Sequence, residues 1–229
     1  MSSGKCVNRE AINGTPYDVE VGNTDISGAV ERDVKSGPKS MIRLALVHYP
    51  VKGRKGEIIA SAITNLDLHD IARTAKTYDI ERFYVVTPLK DQKSLAEKIM
   101  SHWQQGAGAS YNPDRGKAFD LVRVVADIGE VVADIESHGK TKVKIVATSA
   151  VNSGRSTGFN EFKEILAAPA NKHYVYLLVL GTAWGLADEV LDHAHYILSP
   201  ICEGSAYNHL SVRSAAAIMM DRILGDASA

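Results

Sequence analysis

The sequence predicts an α/β fold in which a mostly parallel sheet is flanked by helices. From residue 41 onward, short apolar runs alternate with amphipathic stretches, the order typical of parallel strands joined by crossover helices. The apolar runs are nearly continuous in Val, Ile and Leu, as expected for strands that are covered on both faces. The part of the 229-residue chain that follows residue 40 has the length of one domain.

Strands and helices can be placed along this domain from their local patterns. Six apolar runs are predicted to be strands, at residues 42–48, 82–87, 121–125, 142–148, 174–180 and 194–198. Three helices are predicted to start at Asp67, Asp91 and Asp127, because an aspartate there accepts a hydrogen bond from a free N–H of the first turn. A last helix is predicted over about 209–224, with Gly225 at the C′ position.

The first forty residues differ from the rest in composition. They are rich in Gly, Asn, Ser, Asp and Lys, and their apolar residues are isolated. Residues 1–40 are therefore expected to form a flexible leader, and residues 41–229 the folded domain. The N-terminus has no basic patch followed by an apolar segment, so no secretory signal is predicted and the protein is expected to be cytoplasmic.

Composition excludes several classes of protein. With 45% hydrophobic residues and a formal net charge of −1, the chain is not disordered throughout. Cys6 and Cys202 are too few for a disulfide scaffold, and no apolar run is long enough to span a membrane. The eight histidines show no metal-ligand spacing, so no metal site is predicted. The near-neutral charge argues against a uniform phosphate-binding surface but permits a local RNA-binding patch.

Three loops near the C-terminus follow predicted strands and are candidates for a ligand site, because ligands bind at the carboxyl ends of strands in open α/β sheets. They span residues 149–155, 181–186 and 199–209. In the second loop, Gly181 and Gly185 allow backbone to approach a ligand or to adopt positive φ. Trp184 between them is interpreted either as a flat apolar wall or as a core residue. The glycines do not match G-x-G-x-x-G, so a Rossmann dinucleotide site is not predicted.

The residues of these loops resemble a known family. Residues 181–186 (Gly-Thr-Ala-Trp-Gly-Leu), 196–201 (Tyr-Ile-Leu-Ser-Pro-Ile) and 207–220 resemble the C-terminal half of the SPOUT RNA methyltransferases. They are most similar to a bacterial group of predicted S-adenosylmethionine-dependent RNA methyltransferases within that class. Residues 64–75 are similar to the first motif of the family, an Asn followed by Arg-Thr-Ala. The likeness covers roughly residues 41–225.

This resemblance implies a structure and a cofactor. It implies a deep C-terminal trefoil knot, a homodimer, and S-adenosylmethionine held by the three loops. Matched by position, the cofactor contacts are expected at Thr148, Ser149, Leu180, Gly181, Thr182, Gly185, Ile197, Pro200, Ile201, Asn208, Leu210 and Ser211. The expected reaction is methyl transfer from S-adenosylmethionine to tRNA or rRNA.

Two departures from the family pattern leave the acceptor open between a base and a ribose. The ribose-methylating branch has a Glu where this chain has Ala183, and Asn-x-Ser where it has Ser211, Val212 and Arg213. A ribose hydroxyl needs help to lose its proton, so the loss of these residues places ribose methylation in doubt. The two departures also support an alternative, a catalytically inactive RNA- or ribosome-associated protein of the same fold.

Two arginines are the candidate catalytic residues. Arg73, in the first motif, is interpreted either as a group that pairs with RNA phosphate or lowers the pKa of the acceptor, or as an ordinary surface arginine. Arg213, at the start of the last helix, is expected to assist the acceptor electrostatically.

Several residues are candidates for RNA binding. Lys52, Arg54 and Lys55 follow the first strand and form the best local basic patch, or else a solvated loop. Asn65 is expected either to orient substrate or to satisfy the backbone at a strand end. The Gly-rich stretch 103–115, which ends in Arg115, is predicted to be a long substrate loop.

Overall fold

A computed structural model of the chain describes residues 41–138, 141–205 and 207–225. The predicted leader at residues 1–40 lies outside the described residues. A short 3₁₀ helix spans Pro169–Asn171, and the other elements are, in chain order, β1 (Ile42–Val47), β2 (Val51–Lys52), β3 (Ile58–Ile59), α1 (Asn65–Thr77), β4 (Phe83–Val86), α2 (Lys90–Gln104), α3 (Ala107–Tyr111), α4 (Pro113–Phe119), β5 (Val122–Val125), α5 (Ile128–Ser137), β6 (Lys142–Thr148), β7 (Ser156–Thr157), α6 (Phe159–Ala167), β8 (Tyr174–Gly181), α7 (Asp188–Asp192), β9 (Tyr196–Leu198) and α8 (Val212–Leu224).

Within the described residues, seven strands form one sheet in the order β5-β4-β1-β8-β6-β9-β7. Each neighbouring pair is parallel, so the predicted α/β architecture is confirmed. Each of the six predicted runs overlaps a strand of this sheet. The strands that sequence analysis missed are β7 and the antiparallel ribbon of β2 and β3. They have two residues each, too few to show an apolar period.

Helices cover both faces of the sheet. Because side chains alternate along a strand, Leu44 and Leu46 of β1 point to one face, where they belong to a core that includes α1, α2, α4 and α8. Ala45 and Val47 point to the other face and pack with residues of α5 and α7. None of the described helices is both long enough and apolar enough to cross a membrane. Because helices cover both faces, the sheet is open to a ligand only at the ends of its strands.

Two predicted helix starts are wrong by a few residues. The hydroxyl of Thr64, rather than Asp67, caps α1 by accepting the N–H of Asp67 at 3.1 Å. Asp91 lies in the first turn of α2 instead of at its cap. Asp127 caps α5 as predicted, since its carboxylate accepts an N–H of the first turn at 2.9 Å.

The last helix is shorter than the sequence pattern predicts. The Ser211 hydroxyl caps α8 by accepting the N–H of Ser214 at 3.3 Å, so the residues from His209 to the cap stay in the preceding loop. Gly225 follows the helix, but its φ of −64° is not the left-handed conformation of a C′ glycine. A side chain is excluded there for another reason, because a Cβ would lie 2.4 Å from the carbonyl oxygen of Asp221.

The stretch predicted to be a long substrate loop is helical. The end of α2 contains Trp103, and α3 and α4 follow it closely. Asn112 caps α4 by accepting the N–H of Arg115 at 3.1 Å, and Pro113 occupies its first turn. Gly108 allows close packing, since a Cβ there would lie 2.6 Å from the Trp103 indole. Packing around Trp103 therefore orders a segment whose glycine content indicated a loop.

Candidate functional site

A cavity of about 1290 Å³ opens at the carboxyl edge of the sheet. Its walls come from the loops that follow β6, β8 and β9 and from the segment that precedes α1. Apolar side chains such as Leu180 and Ile201 alternate there with polar ones such as Thr182 and Asn208. A mostly apolar hollow with a few convergent polar groups is the usual form of a small-molecule site.

The second loop, residues 181–186, turns sharply at this edge. Ala183 has a φ of 52° and Gly185 a φ of 104°, so two of its residues adopt left-handed backbone. Gly181 is required by close approach, because a Cβ would lie 2.6 Å from the backbone nitrogen of Leu186. The sequence of the loop thus builds a tight turn whose backbone lines the cavity.

Trp184 is a wall of the cavity and not a core residue. Its side chain is 61% exposed, and it lies among the lining residues. The backbone beside it is fixed by β2, because the N–H of Trp184 donates to the carbonyl of Lys52 at 3.1 Å and the N–H of Lys52 donates to the carbonyl of Gly185 at 2.8 Å. The core interpretation of Trp184 is therefore wrong.

Hydrogen bonds join the first and third loops to each other and fix the end of β6 against β8. The amide Nδ2 of Asn208 donates to the carbonyl of Ala150 at 2.7 Å, which joins the loop after β9 to the loop after β6. The hydroxyl of Thr148 donates to the carbonyl of Val179 in β8 at 3.0 Å. These contacts give the cavity walls defined positions relative to the sheet.

Basic side chains line the cavity, and carboxylates lie close to two of them. Arg213 lines it and is held by two carboxylates of α1, with Nη1 3.4 Å from an oxygen of Asp67 and Nε 3.4 Å from an oxygen of Asp70. Lys52 and Arg54 also belong to the wall, and Lys52 pairs at 2.5 Å with the first residue of α7. Because Arg213 and Lys52 are both paired with carboxylates, the rim carries charges of both signs.

A chain of polar side chains runs beneath the second loop. The Thr182 hydroxyl donates to the carbonyl of Val47 at 2.9 Å, the Ser61 hydroxyl lies 2.5 Å from that of Thr182, and Nδ1 of His48 lies 2.9 Å from the Ser61 hydroxyl. Burial lowers the pKa of His48 to about 4, although the nearby carboxylate of Asp67 acts in the opposite direction. The imidazole is therefore neutral at pH 7.

Most residues expected to hold the cofactor lie together in this cavity. Ten of the twelve line it. The other two, Ile197 and Pro200, are buried, and Ile197 packs in the core beside Ala147. A single hollow thus collects residues from all three predicted loops.

The candidate catalytic and RNA-binding residues are divided by the structure. The wall of the cavity includes Lys52, Arg54 and Arg213 but not Lys55, Asn65, Arg73 or Arg115. The guanidinium of Arg115 lies 4.5 Å from the ring centre of Trp103, so this side chain stacks on helix α2. Arg73 is exposed on α1. Burial lowers the pKa of the neighbouring His69, and the charges of Arg115 and Arg73 act in the same direction.

Sequence analysis missed the wall that lies before α1. Ser61, Ala62 and Thr64 line the cavity, as does Asp67 in the first turn of α1. Ser61 and Ala62 show no glycine pattern and no periodicity, so nothing local indicates their role, whereas Thr64 and Asp67 lie in the stretch that resembles the first motif of the family. Within the described residues, no group of three or more His, Cys, Asp and Glu side chains is placed to hold a metal ion.

Comparison with known proteins identifies the relatives of this chain. The model of a family described as SAM-dependent RNA methyltransferase matches residues 41–225. Proteins named tRNA (guanine-N(1)-)-methyltransferase are 44% identical over 190 residues in Oleidesulfovibrio alaskensis and 41% identical over 192 residues in Nitratidesulfovibrio vulgaris. These matches cover 83% and 84% of this chain but 43% and 44% of the relatives, so the chain spans less than half of their length.

A relative of similar length and two solved structures complete the comparison. An uncharacterized protein of Aquifex aeolicus is 33% identical over 180 residues, which cover 79% of this chain and 86% of that protein. A methylase family protein of Neisseria gonorrhoeae has a TM-score of 0.56 at 16% identity, covering 83% of this chain and 84% of that one. The SpoU methyltransferase AviRb of Streptomyces viridochromogenes has a TM-score of 0.52 at 18% identity, covering 80% and 58%. Both structures share the fold of this chain, and one of them is a SpoU methyltransferase.

Proposed function

The chain belongs to the family of S-adenosylmethionine-dependent RNA methyltransferases, and we propose that it transfers a methyl group from S-adenosylmethionine to a base of tRNA. The observation that carries this proposal is the cavity at the carboxyl edge, which combines a tight glycine-containing loop, an exposed indole and basic side chains. The choice of tRNA is supported by the printed name of the two relatives that exceed 40% identity.

The residues of the cavity fit the expected cofactor. Leu180, Ile201 and Leu210 provide apolar surface for an adenine ring, and Asn208 adds a polar side chain. At Gly185 a Cβ would meet no atom within 4 Å, so the backbone there is open to a ligand. When bound, S-adenosylmethionine supplies the methyl group, which it carries on a positively charged sulfur.

The protein contributes chiefly by holding the reactants in place. Such positioning accounts for much of the rate of a transfer between two bound molecules. Arg213 adds a positive charge at the cavity, and Asp67 and Asp70 fix its direction. The two carboxylates offset its charge, so its expected role is to donate hydrogen bonds to an RNA phosphate or to the acceptor atom.

The second loop favours a base over a ribose as the acceptor. Ala183 lines the cavity at the position where the ribose-methylating branch has a glutamate, so no carboxylate enters the cavity from this residue. The guanine N(1) in the name of the two relatives agrees with a base acceptor. Because those relatives are more than twice as long as the match, their activity is support for this proposal and not a property transferred to this chain.

A methyl-transfer assay tests the proposal. Purified protein is incubated with methyl-tritiated S-adenosylmethionine and bulk tRNA from a strain that lacks the gene, and the nucleosides are then identified by mass spectrometry. The expected product is a base-methylated nucleoside. A ribose-methylated nucleoside would contradict the base acceptor. Cofactor binding without incorporation into tRNA or rRNA would favour the alternative of an inactive RNA-binding protein.

The knot and the homodimer stay predictions of the family resemblance, and the cytoplasmic location stays a prediction from the sequence. Light scattering coupled to size-exclusion chromatography would measure the mass in solution, and a monomer at micromolar concentration would contradict the expected dimer. Fractionation of cells would test the location.

A further inference from the structure

His48 is a fully buried histidine that the proposed reaction does not use. It follows β1, lies beneath the second loop and is not part of the cavity wall. Its Nδ1 contacts Ser61, whereas its Nε2 is buried without a hydrogen-bond partner among the described residues. Buried polar atoms usually have partners, so an imidazole kept at this position calls for a reason.

Only one arrangement of protons forms all three hydrogen bonds of the series that runs from Val47 through Thr182 and Ser61 to His48. A carbonyl oxygen can only accept, so the single proton of the Thr182 hydroxyl lies on its bond to Val47. The proton between Ser61 and Thr182 must then come from Ser61. With both hydroxyl protons placed, the bond between Ser61 and His48 takes its proton from Nδ1 of the imidazole.

We propose that His48 is a positioning residue: as the Nδ1–H tautomer it directs the protons of Ser61 and Thr182 away from the cavity, so that both hydroxyls offer only acceptors to a bound ligand. Ser61 and Thr182 line the cavity, and each keeps one lone pair after these bonds are made. The proposal rests on the proposed function, because the ligand in question is the cofactor.

The placement of these protons determines which ligand groups the two hydroxyls can bind. Two oxygens that cannot donate attract a hydrogen-bond donor or a group with positive charge, such as an ammonium or the methyl-bearing sulfonium of the cofactor. They repel a carboxylate or a carbonyl. Burial holds the pKa of His48 near 4, so the imidazole stays neutral at physiological pH. The order of donors and acceptors in these hydrogen bonds therefore does not reverse.

The tautomer of His48 is measured by nuclear magnetic resonance without any ligand or activity. The full chain is labelled with ¹⁵N-histidine, and the His48 signals at pH 7.5 are assigned by their loss in His48→Asn. The proposal predicts a neutral ring with the proton on Nδ1. A ring protonated on Nε2, or on both nitrogens, would overturn it.

The positioning role is measured by calorimetric titration with S-adenosylhomocysteine and S-adenosylmethionine. His48→Asn keeps an N–H near Nδ1 and is expected to bind both ligands about as well as the wild type. His48→Leu removes the donor and is expected to bind S-adenosylmethionine about fivefold more weakly, the loss of about one hydrogen bond. The matched double variant His48→Leu/Ser61→Ala is expected to lose no more than Ser61→Ala alone, since both act through one chain.

The outcomes separate this inference from the proposed function. Equal affinity of the Asn and Leu variants, or additive losses in the double variant, would overturn the positioning role while cofactor binding itself stands. If the wild type binds neither ligand, the proposed function fails and the positioning role fails with it. In that case the tautomer measurement still decides the proton arrangement.

Discussion

His48 makes the stability of this protein depend on pH in a way that can be calculated. In the unfolded chain its imidazole takes up a proton near pH 6.5, whereas in the folded protein burial lowers its pKa to about 4. Between these two values only the unfolded state binds the proton, so lowering the pH stabilises the unfolded state. The stability present above pH 6.5 is lost as the pH falls toward 4, and no more is lost below it.

The size of the effect follows from the two pKa values. One pH unit is worth about 1.4 kcal/mol, so the gap between them corresponds to about 3 kcal/mol in full. Between pH 7.5 and pH 5.0, the free energy of unfolding should fall by about 2 kcal/mol because of His48 alone. For a domain of marginal stability this is a large share of the total.

Urea unfolding at the two pH values measures this quantity. His69 and His195 also have pKa values lowered by burial, so the wild type is compared with His48→Asn, in which those two histidines still titrate. The free energy of unfolding of the wild type should fall by about 2 kcal/mol more than that of the variant. An equal fall in both proteins would refute the assignment of a buried, neutral His48.

Three further predictions concern the cavity. Gly181→Ala places a Cβ 2.6 Å from a backbone nitrogen. It should weaken S-adenosylhomocysteine binding at least tenfold by calorimetry, roughly the cost of a distorted turn. The control Gly158→Ala, whose Cβ meets no atom within 4 Å, should leave the affinity unchanged. The exposed Trp184 lines the cavity, so cofactor should change the tryptophan fluorescence of the wild type and of Trp103→Phe. The fluorescence of Trp184→Phe should not change, and a response that survives in this variant would contradict the prediction. Arg213→Ala should lower kcat for tRNA on the order of 100-fold with little change in the dissociation constant of the cofactor, if its charge acts on the acceptor; a loss of cofactor affinity alone would show that it acts elsewhere.

The sequence was sufficient for six of the seven strands of the sheet, because these strands carry their own signal. Runs such as 142–148 are apolar and bounded by polar segments, and the observed strand β6 begins and ends at the same residues. The ribbon of β2 and β3 carries no such signal. It is fixed by Lys52, whose backbone pairs with the second loop more than 130 residues later in the chain.

The same limit explains which site residues could be anticipated. Gly181 and Gly185 predict a tight turn locally. Ser61 becomes a functional candidate only through its contact with Thr182, and His48 only through its contact with Ser61. At 103–115 the glycines predicted a loop, but the structure is helical there, and Gly108 allows close helix packing against Trp103. Local patterns predict conformation, but they do not show which distant residues will meet.

A crystal structure of the protein grown with S-adenosylhomocysteine tests most directly whether the carboxyl-edge cavity is the cofactor site. The adenosine is expected among Leu180, Ile201 and Leu210, against the backbone of the loop that contains Gly185. Density for the ligand outside this cavity, or a cavity that stays empty at a concentration where calorimetry shows binding, would contradict the assignment.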